Sequence, residues 1–316
     1  MHKALYRGVR NSPAMLRCGF ASALALLLVL LLVPARPALA PVAQAAELPA
    51  AIPNIYLHLP RTVPHGAPVQ ALVALHGMGG NGDQFAAQFV DAADRNGWLL
   101  VAPTIDYGDW TDPAQIARED PRLIAWLSDF IDQLGQYSGV SVKPRVLLLG
   151  HSRGAQLAHR FALFEPQRVL AVAALAAGTY TLPVERSDGG SMIRFPFGIG
   201  DLNAVAGHGF RRMRLIEDTE FWLGVGSEDN NPGDLPRAWD GYIGTTRVQR
   251  ARVFQAALHA LGARSVLVAF RGERHTLTPD MAASACSFLR ALDLAQATSV
   301  VDVPTAFKTS HARGHF

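Results

Sequence analysis

The chain has 316 residues, of which 49% are hydrophobic and 17% are charged, a composition that excludes a largely disordered protein. The net charge is +3, but residues 1–45 hold five basic side chains and no acidic one, which leaves 24 basic against 26 acidic residues elsewhere. Because that remainder lacks the positive surplus of a nucleic-acid-binding surface, we expect no nucleic-acid partner.

The first 45 residues have the pattern of a signal peptide. Basic residues from Lys3 to Arg17 precede an apolar run at 20–33, and Ala43 and Ala45 frame a candidate cleavage site. The apolar run is short for a membrane span, which needs about 20 residues. We therefore expect an exported protein, secreted or extracytoplasmic, with an uncleaved membrane anchor at residues 20–33 as the alternative.

Cleavage of this segment would leave Cys286 as the single cysteine, because Cys18 precedes the apolar run. A lone thiol forms no intramolecular disulfide, so stability must come from the apolar core. The sequence around Cys286 indicates a packed helix, and we expect a buried structural thiol rather than a nucleophile.

Short apolar strands alternate with amphipathic helices over residues 46–295, which indicates an α/β fold: a mostly parallel central sheet with helices on both faces. We find no repeat or linker there and expect one domain, followed by a loosely ordered tail at 296–316. Seven strands are predicted, at Asn54–Leu59, Gln70–Leu75, Trp98–Ala102, Arg145–Leu149, Val169–Ala176, Phe221–Val225 and Ser265–Phe270.

Helices are predicted between several of these strands. One is expected to begin at Asp120 as N-cap, with Pro121 in its first turn. Residues 179–219 lack clear periodicity, and we expect them to form a lid or a pocket wall. The remaining helices are predicted at Gly154–Phe164, Thr246–Leu261 and Asp280–Leu294.

The motif Gly150-His151-Ser152-Arg153-Gly154 lies between a predicted strand and a predicted helix. A serine on such a sharp turn has an exposed hydroxyl, and the amides of the following helix favour negative charge next to it. We interpret Ser152 as a candidate nucleophile. The alternative is an ordinary strand-to-helix turn in which the serine caps the helix.

A serine hydroxyl attacks only when a base takes its proton, and the base needs an acceptor that orients it. His275 and Asp229 are the candidates, because each follows a predicted strand at the edge where ligands bind in parallel sheets. Glu228 and Asp234 could replace Asp229. We expect His151 to point away from Ser152, and four rival histidines follow no strand: His208, His259, His311 and His315.

The glycine-rich loop that begins with His76-Gly77-Met78-Gly79-Gly80 follows another strand. An acyl-transfer site needs two N–H donors for the oxyanion, and the backbone amides of Met78 and Arg153 are the candidates. The glycine spacing fits neither phosphate-binding motif, so we expect no nucleotide cofactor. We expect no metal either, because the sequence has no metal-binding motif.

Three aromatic residues are candidates for the substrate pocket. Tyr107 and Trp110 follow the predicted strand Trp98–Ala102, and Trp239 lies between two later elements. Simple packing in the core is the alternative for each of them, because aromatic side chains fill cores throughout proteins.

Together these motifs resemble the α/β-hydrolase superfamily over roughly residues 54–294. They are most similar to secreted single-domain esterases of the poly(3-hydroxybutyrate) depolymerase and feruloyl-esterase-like group. The resemblance implies the α/β-hydrolase fold, with Ser152 as nucleophile, His275 as base and Asp229 as its partner. The chain departs from the depolymerases in lacking their usual disulfides and a separate polymer-binding domain, which disfavours a solid polyester as substrate.

The sequence therefore predicts a secreted serine hydrolase that cleaves a small-molecule or polymeric carboxylic ester through an acyl-enzyme intermediate. No cofactor is expected, and membrane contact is expected only through an uncleaved N-terminal segment. Two alternatives stay open. One is a peptidase or acyltransferase that uses the same triad, and the other is a non-catalytic binding protein on the same fold.

Overall fold

The computed structural model describes residues 54–63 and 66–301, without the side chains of 298–301, and these residues fall within one compact unit. The predicted signal peptide and anchor within residues 1–45 lie outside the described residues, as does most of the predicted tail, including His311 and His315. Within residues 54–63 and 66–301, no helix combines the length and apolar character that a membrane span requires.

In this part of the chain one sheet of seven strands runs in the order β1-β3-β2-β4-β5-β6-β7. The edge strand β1 is antiparallel to β3, and the other neighbours are parallel, so the predicted mostly parallel sheet is confirmed. Each strand coincides with a predicted one except at its ends: β1 Asn54–His58, β2 Gln70–Leu75, β3 Trp98–Thr104, β4 Val146–His151, β5 Val169–Leu175, β6 Glu220–Gly226 and β7 Ser265–Phe270.

The central strands are mostly apolar because helices cover both faces of the sheet. Every residue of β2 and β5 is buried, whereas the edge strand β1 has only exposed and half-buried positions. One face packs against α3, α4 and α8, and the other packs against α1, α2 and α9. The described helices are α1 Gly82–Ala87, α2 Val90–Asn96, α3 Pro113–Ser138, α4 Arg153–Phe164, α5 Leu202–Ala206, α6 Arg212–Asp218, α7 Asp240–Ile243, α8 Arg247–Leu261 and α9 Pro279–Val301.

The predicted start of α3 at Asp120 is wrong. The helix begins at Pro113, and its N-cap is Asp112, whose carboxylate accepts a hydrogen bond of 2.8 Å from the amide of Ala114. Pro121 lies inside the helix, where it removes one intrahelical hydrogen bond. Asp120 faces the core and forms ion pairs there, so its role is tertiary rather than local.

Several residues of the segment 179–219 are buried. Thr179–Leu182 are buried, and Phe195, Ile199 and Leu202 belong to the core cluster that also contains residues of α3, α4 and α8. The segment therefore contributes to the core at 179–182 and at 195–202, whereas its residues 185–192 are exposed. It lacks periodicity because most of its buried residues lie in irregular backbone, which no helical or strand pattern describes.

Candidate active site

Three loops that follow β4, β6 and β7 carry the reactive side chains to one edge of the sheet. These strands are parallel, so their carboxyl ends lie together. Ser152 comes directly after β4, Asp229 three residues after β6 ends, and His275 five residues after β7 ends.

Ser152 occupies a strained turn between β4 and α4. Its φ of 54° and ψ of −115° fall in a region that non-glycine residues rarely adopt. A side chain at Gly150 would place its Cβ 2.4 Å from the carbonyl oxygen of Gly154, and a Cβ at Gly154 would lie 2.0 Å from the carbonyl oxygen of Leu75. Both glycines are therefore required by the close approach of backbone segments.

The three predicted residues form a continuous series of hydrogen bonds. Nε2 of His275 lies 3.0 Å from Oγ of Ser152, and Nδ1 of His275 lies 2.9 Å from Oδ2 of Asp229. Because the ionised carboxylate only accepts, Nδ1–H donates to Asp229, and Nε2 is left to accept the hydrogen bond that the Ser152 hydroxyl donates.

Asp229 is buried and binds two partners at once. Its Oδ1 accepts a hydrogen bond of 2.7 Å from the guanidinium of Arg247, a buried residue that opens α8. Burial alone would raise the pKa of Asp229, but the hydrogen bond from His275 and the positive charge of Arg247 hold that pKa below its ordinary value. The carboxylate is therefore charged at neutral pH.

The alternative acids and bases lie elsewhere. Glu228 is exposed and lies 3.7 Å from Arg274, and Asp234 contributes only its backbone carbonyl, 3.5 Å from Arg247. His208 pairs with the carboxylate of Glu165. His259 contacts the backbone carbonyl of Ser265, away from the sheet edge that carries Ser152.

The ring of His151, which the sequence predicts to point away from Ser152, lies beside the candidate base. Its ring stacks on that of His275, with ring centroids 5.2 Å apart, because β4 continues through His151 to the edge where the His275 loop passes. Burial, together with the charge of a protonated His275, lowers the pKa of His151 to about 4. His151 is therefore a neutral neighbour of the candidate base at neutral pH.

The glycine-rich loop after β2 passes directly beside Ser152. A Cβ at Gly77 would lie 3.3 Å from the Cβ of Ser152, a tight contact that the glycine avoids. Met78 follows it with an exposed side chain, and Arg153 is the first residue of α4, where amides have no intrahelical acceptor. A cavity of about 270 Å³ opens at this loop and is lined by His76, Gly77, Met78, Gly80, Asn81, Gln84, Phe85, Gln88 and His151.

Hydrogen bonds of His76 connect this loop to the residue that follows β3. Its Nε2 accepts a hydrogen bond of 2.8 Å from the amide of Ile105, and its Nδ1 donates one of 2.7 Å to the carbonyl of Gly77. Burial lowers the pKa of His76, which keeps the ring neutral and able to accept. His76 thus has a structural role in holding this loop.

The side chain of Arg153 belongs to a buried network that sequence reasoning missed. Its guanidinium binds Asp120, lies 2.9 Å from the carboxylate of Glu119 and covers the ring of Tyr107 at 4.6 Å. Arg160 completes the network with a 2.7 Å ion pair to Asp120. The residue after Ser152 is thereby anchored to α3.

Two of the three aromatic pocket candidates are core residues. Trp239 is fully buried against Phe197, so it is not a pocket wall, and Tyr107 is buried between Arg153 and His76. Trp110 is only half-buried and contacts the backbone at Gly178. Their positions in the sequence did not distinguish these environments, because aromatic residues at a sheet edge pack inward or outward with the same local pattern.

Cys286 has the environment expected of a structural thiol. It is buried in α9 without a disulfide partner among the described residues, and burial raises its pKa to about 11. Over the same part of the chain, no group of three or more histidine, cysteine, aspartate or glutamate side chains is arranged to hold a metal ion.

Comparisons with known proteins agree on the architecture. A family model described as alpha/beta hydrolase fold matches residues 70–194. The structure is similar to poly(aspartic acid) hydrolase-1 from Sphingomonas sp. KT-1, with a TM-score of 0.55, 22% identity, and coverage of 74% of this chain and 91% of that one. It is also similar to TT1662 from Thermus thermophilus, with a TM-score of 0.50, 22% identity, and coverage of 75% and 92%. None of the curated proteins matches the sequence.

Proposed function

We propose that this chain, which has the α/β-hydrolase fold, is a serine hydrolase that cleaves carboxylic ester bonds through an acyl-enzyme intermediate. The observation that carries the proposal is the unbroken series of hydrogen bonds from Ser152 through His275 to Asp229. An alcohol, an imidazole and a charged carboxylate in this order form the arrangement that activates a serine nucleophile.

In the proposed reaction, Oγ of Ser152 attacks the ester carbonyl while Nε2 of His275 takes the hydroxyl proton. The imidazolium that forms is stabilised by Asp229 through the hydrogen bond to Nδ1. His275 then gives the proton to the leaving alcohol, and an acyl group remains on Ser152. A water molecule, deprotonated by the same imidazole, releases the acid and restores the serine.

The tetrahedral intermediate carries a negative charge on the former carbonyl oxygen. The amide of Arg153 at the start of α4 and the amide of Met78 are the proposed donors to this oxygen. Support comes from the position of Gly77 against Ser152, and from the fixed Arg153 side chain, which limits movement of its own backbone.

We also propose that residues 1–45 direct export. The support is the order of a basic segment, an apolar run at 20–33 and small residues around Ala45. Expression of the full chain in a bacterial host, with N-terminal sequencing of the product, tests this: cleavage near Ala45 is expected. An intact N-terminus on membrane-bound protein would favour the anchor, and an intact N-terminus in the cytoplasm would contradict export.

Hydrolysis of p-nitrophenyl acetate and butyrate, measured beside matched p-nitroanilides, tests the proposed reaction. We expect the wild-type chain to prefer the esters and Ser152→Ala to lose roughly 10⁴-fold or more of kcat/KM without unfolding. Ser287→Ala, an exposed serine on α9, is the control that should retain activity. Preference for the anilides would favour a peptidase, and equal turnover by Ser152→Ala would contradict the proposal.

A further inference from the structure

The acid of the candidate triad is held from two sides. One carboxylate oxygen of Asp229 accepts a hydrogen bond of 2.9 Å from His275, and the other accepts one of 2.7 Å from Arg247. The side chains of Asp229 and Arg247 are 2% and 4% exposed, so water hardly competes with the ion pair between them. Removing one partner of such a buried ion pair is strongly destabilising, because the other charge is left buried without compensation.

Arg247 lies where a cation is unfavourable on local grounds. It is the first residue of α8, and the positive end of the helix dipole disfavours a cation in the first turn. The N-cap is already supplied by Thr246, whose hydroxyl accepts from the amide of Gln249. The helix itself therefore does not require Arg247, and the contact that explains its burial is Asp229.

We propose that Arg247 is a positioning residue for the triad, an inference that rests on the proposed function. It fixes the plane of the Asp229 carboxylate, so that Oδ2 faces the imidazole, and its positive charge partly offsets the negative charge that this carboxylate presents to the ring. The first effect supports kcat, and the second sets how strongly the carboxylate stabilises the imidazolium.

Other charged groups around this pair are few. His151 stacks on His275 from β4 and stays neutral at neutral pH, and the exposed pair of Glu228 and Arg274 lies on the loops beside the site. The charge of Arg247 also interacts with Tyr180 and with Arg250. The guanidinium of Arg247 is therefore the permanent charge that contacts the far side of the acid.

Two substitutions separate the two effects. Arg247→Gln removes the charge but keeps a hydrogen-bond donor, and the acidic limb of the kcat/KM profile should move up by roughly one pH unit, since a nearby cation no longer opposes the imidazolium. Arg247→Lys keeps the charge but loses the planar fork. Its acidic limb should stay in place while kcat falls about 10-fold.

The profiles are measured by pH-stat titration of a short neutral ester, with thermal melts at each pH to confirm folding. Arg252→Gln removes an exposed arginine of the same helix and should leave the profile unchanged. The pH titration of the His275 imidazole by NMR gives the same comparison without turnover and applies to any folded variant.

An acidic limb and a His275 titration that are unmoved in Arg247→Gln, with wild-type kcat in Arg247→Lys, would overturn the inference and leave a structural role only. Failure of the proposed function would look different, because the wild-type chain itself would then lack esterase activity.

Discussion

At the residue scale, the site depends on backbone approaches that permit only glycine. The turn at Ser152 has a strained φ, and it is enclosed by Gly150 and Gly154 against neighbouring backbone. The strain is compensated by the burial of the whole of α4 and by the hydrogen bond of 2.8 Å from the Ser152 amide to the carbonyl of Leu175.

Substitution of Gly154 by alanine tests this packing. The new Cβ would meet the Leu75 carbonyl at 2.0 Å, so we expect Gly154→Ala to lower the free energy of unfolding by about 3 kcal/mol or more and to abolish esterase activity. Gly241→Ala is the matched control, because a Cβ there meets open space. Urea unfolding measures both, and a Gly154→Ala chain as stable as the control would show that the turn can relax.

Residues with a local pattern were predictable, and residues with distant partners were not. Ser152 and the Gly77 loop stand out because glycine and serine spacing is visible in a few consecutive residues. Arg153 and Arg247 carry no such signal in their side chains, since their acidic partners lie 33 and 18 positions away. A basic residue in the first turn of each helix is the one local hint, because the helix dipole disfavours it.

At the element scale, α3 and α4 are joined by buried charges rather than by apolar contacts alone. Asp120 is fully buried between Arg153 and Arg160, and Arg160 also donates to the hydroxyls of Thr179 and Thr181. This explains why the sequence misplaced the start of α3. An Asp-Pro pair is typical of a helix start, and only the tertiary partners show that Asp120 lies in the core.

Asp120→Asn should therefore be strongly destabilising. Arg160 loses its counter-charge and Arg153 keeps only that of Glu119, so we expect the free energy of unfolding to fall by about 3–5 kcal/mol. Asp129→Asn, at an exposed position of the same helix, should change it by less than about 0.5 kcal/mol. Guanidinium-induced unfolding of both variants measures the difference, and equal stabilities would mean that the network contributes little.

At the scale of the whole molecule, the buried histidines make stability depend on pH. His76, His151 and His159 all have pKa values lowered by burial, to about 4 for His151 and well below the ordinary value for His159. Each ring binds a proton more readily in the unfolded chain, where its pKa is near 6.5. Stability conferred by the neutral rings is therefore complete above pH 6.5 and is lost as the pH falls towards the lowered values.

We expect the melting temperature to fall steadily from pH 6.5 towards pH 4, before most carboxylates titrate. Asp229 adds to the loss only below its ordinary value of 3.8, because its pKa is lowered in the fold. His159→Gln should flatten the slope, since its amide can still accept from the Thr181 amide and donate to the Ala155 carbonyl without binding a proton. Differential scanning calorimetry measures the melting temperature across this pH range. A melting temperature of the wild-type chain that does not change with pH would contradict the expectation.

The sheet and its connections followed from the sequence more completely than the segment 179–219. Continuous apolar runs bounded by glycine and proline identify the buried parallel strands, and all seven described strands coincide with predicted ones except at their ends. The buried residues Tyr180, Phe195 and Ile199 lie in irregular backbone, so their contribution to the core follows from tertiary contacts that no periodic pattern records.

The central claim is that His275, held by Asp229, activates Ser152, and the rate of labelling by a fluorophosphonate tests it most directly. Intact-mass and peptide mass spectrometry of the wild-type chain should show one phosphonyl group, on Ser152. Ser152→Ala should remain unlabelled, and His275→Gln should react at least about 100-fold more slowly although folded. Labelling of another residue, or an undiminished rate in His275→Gln, would contradict the claim.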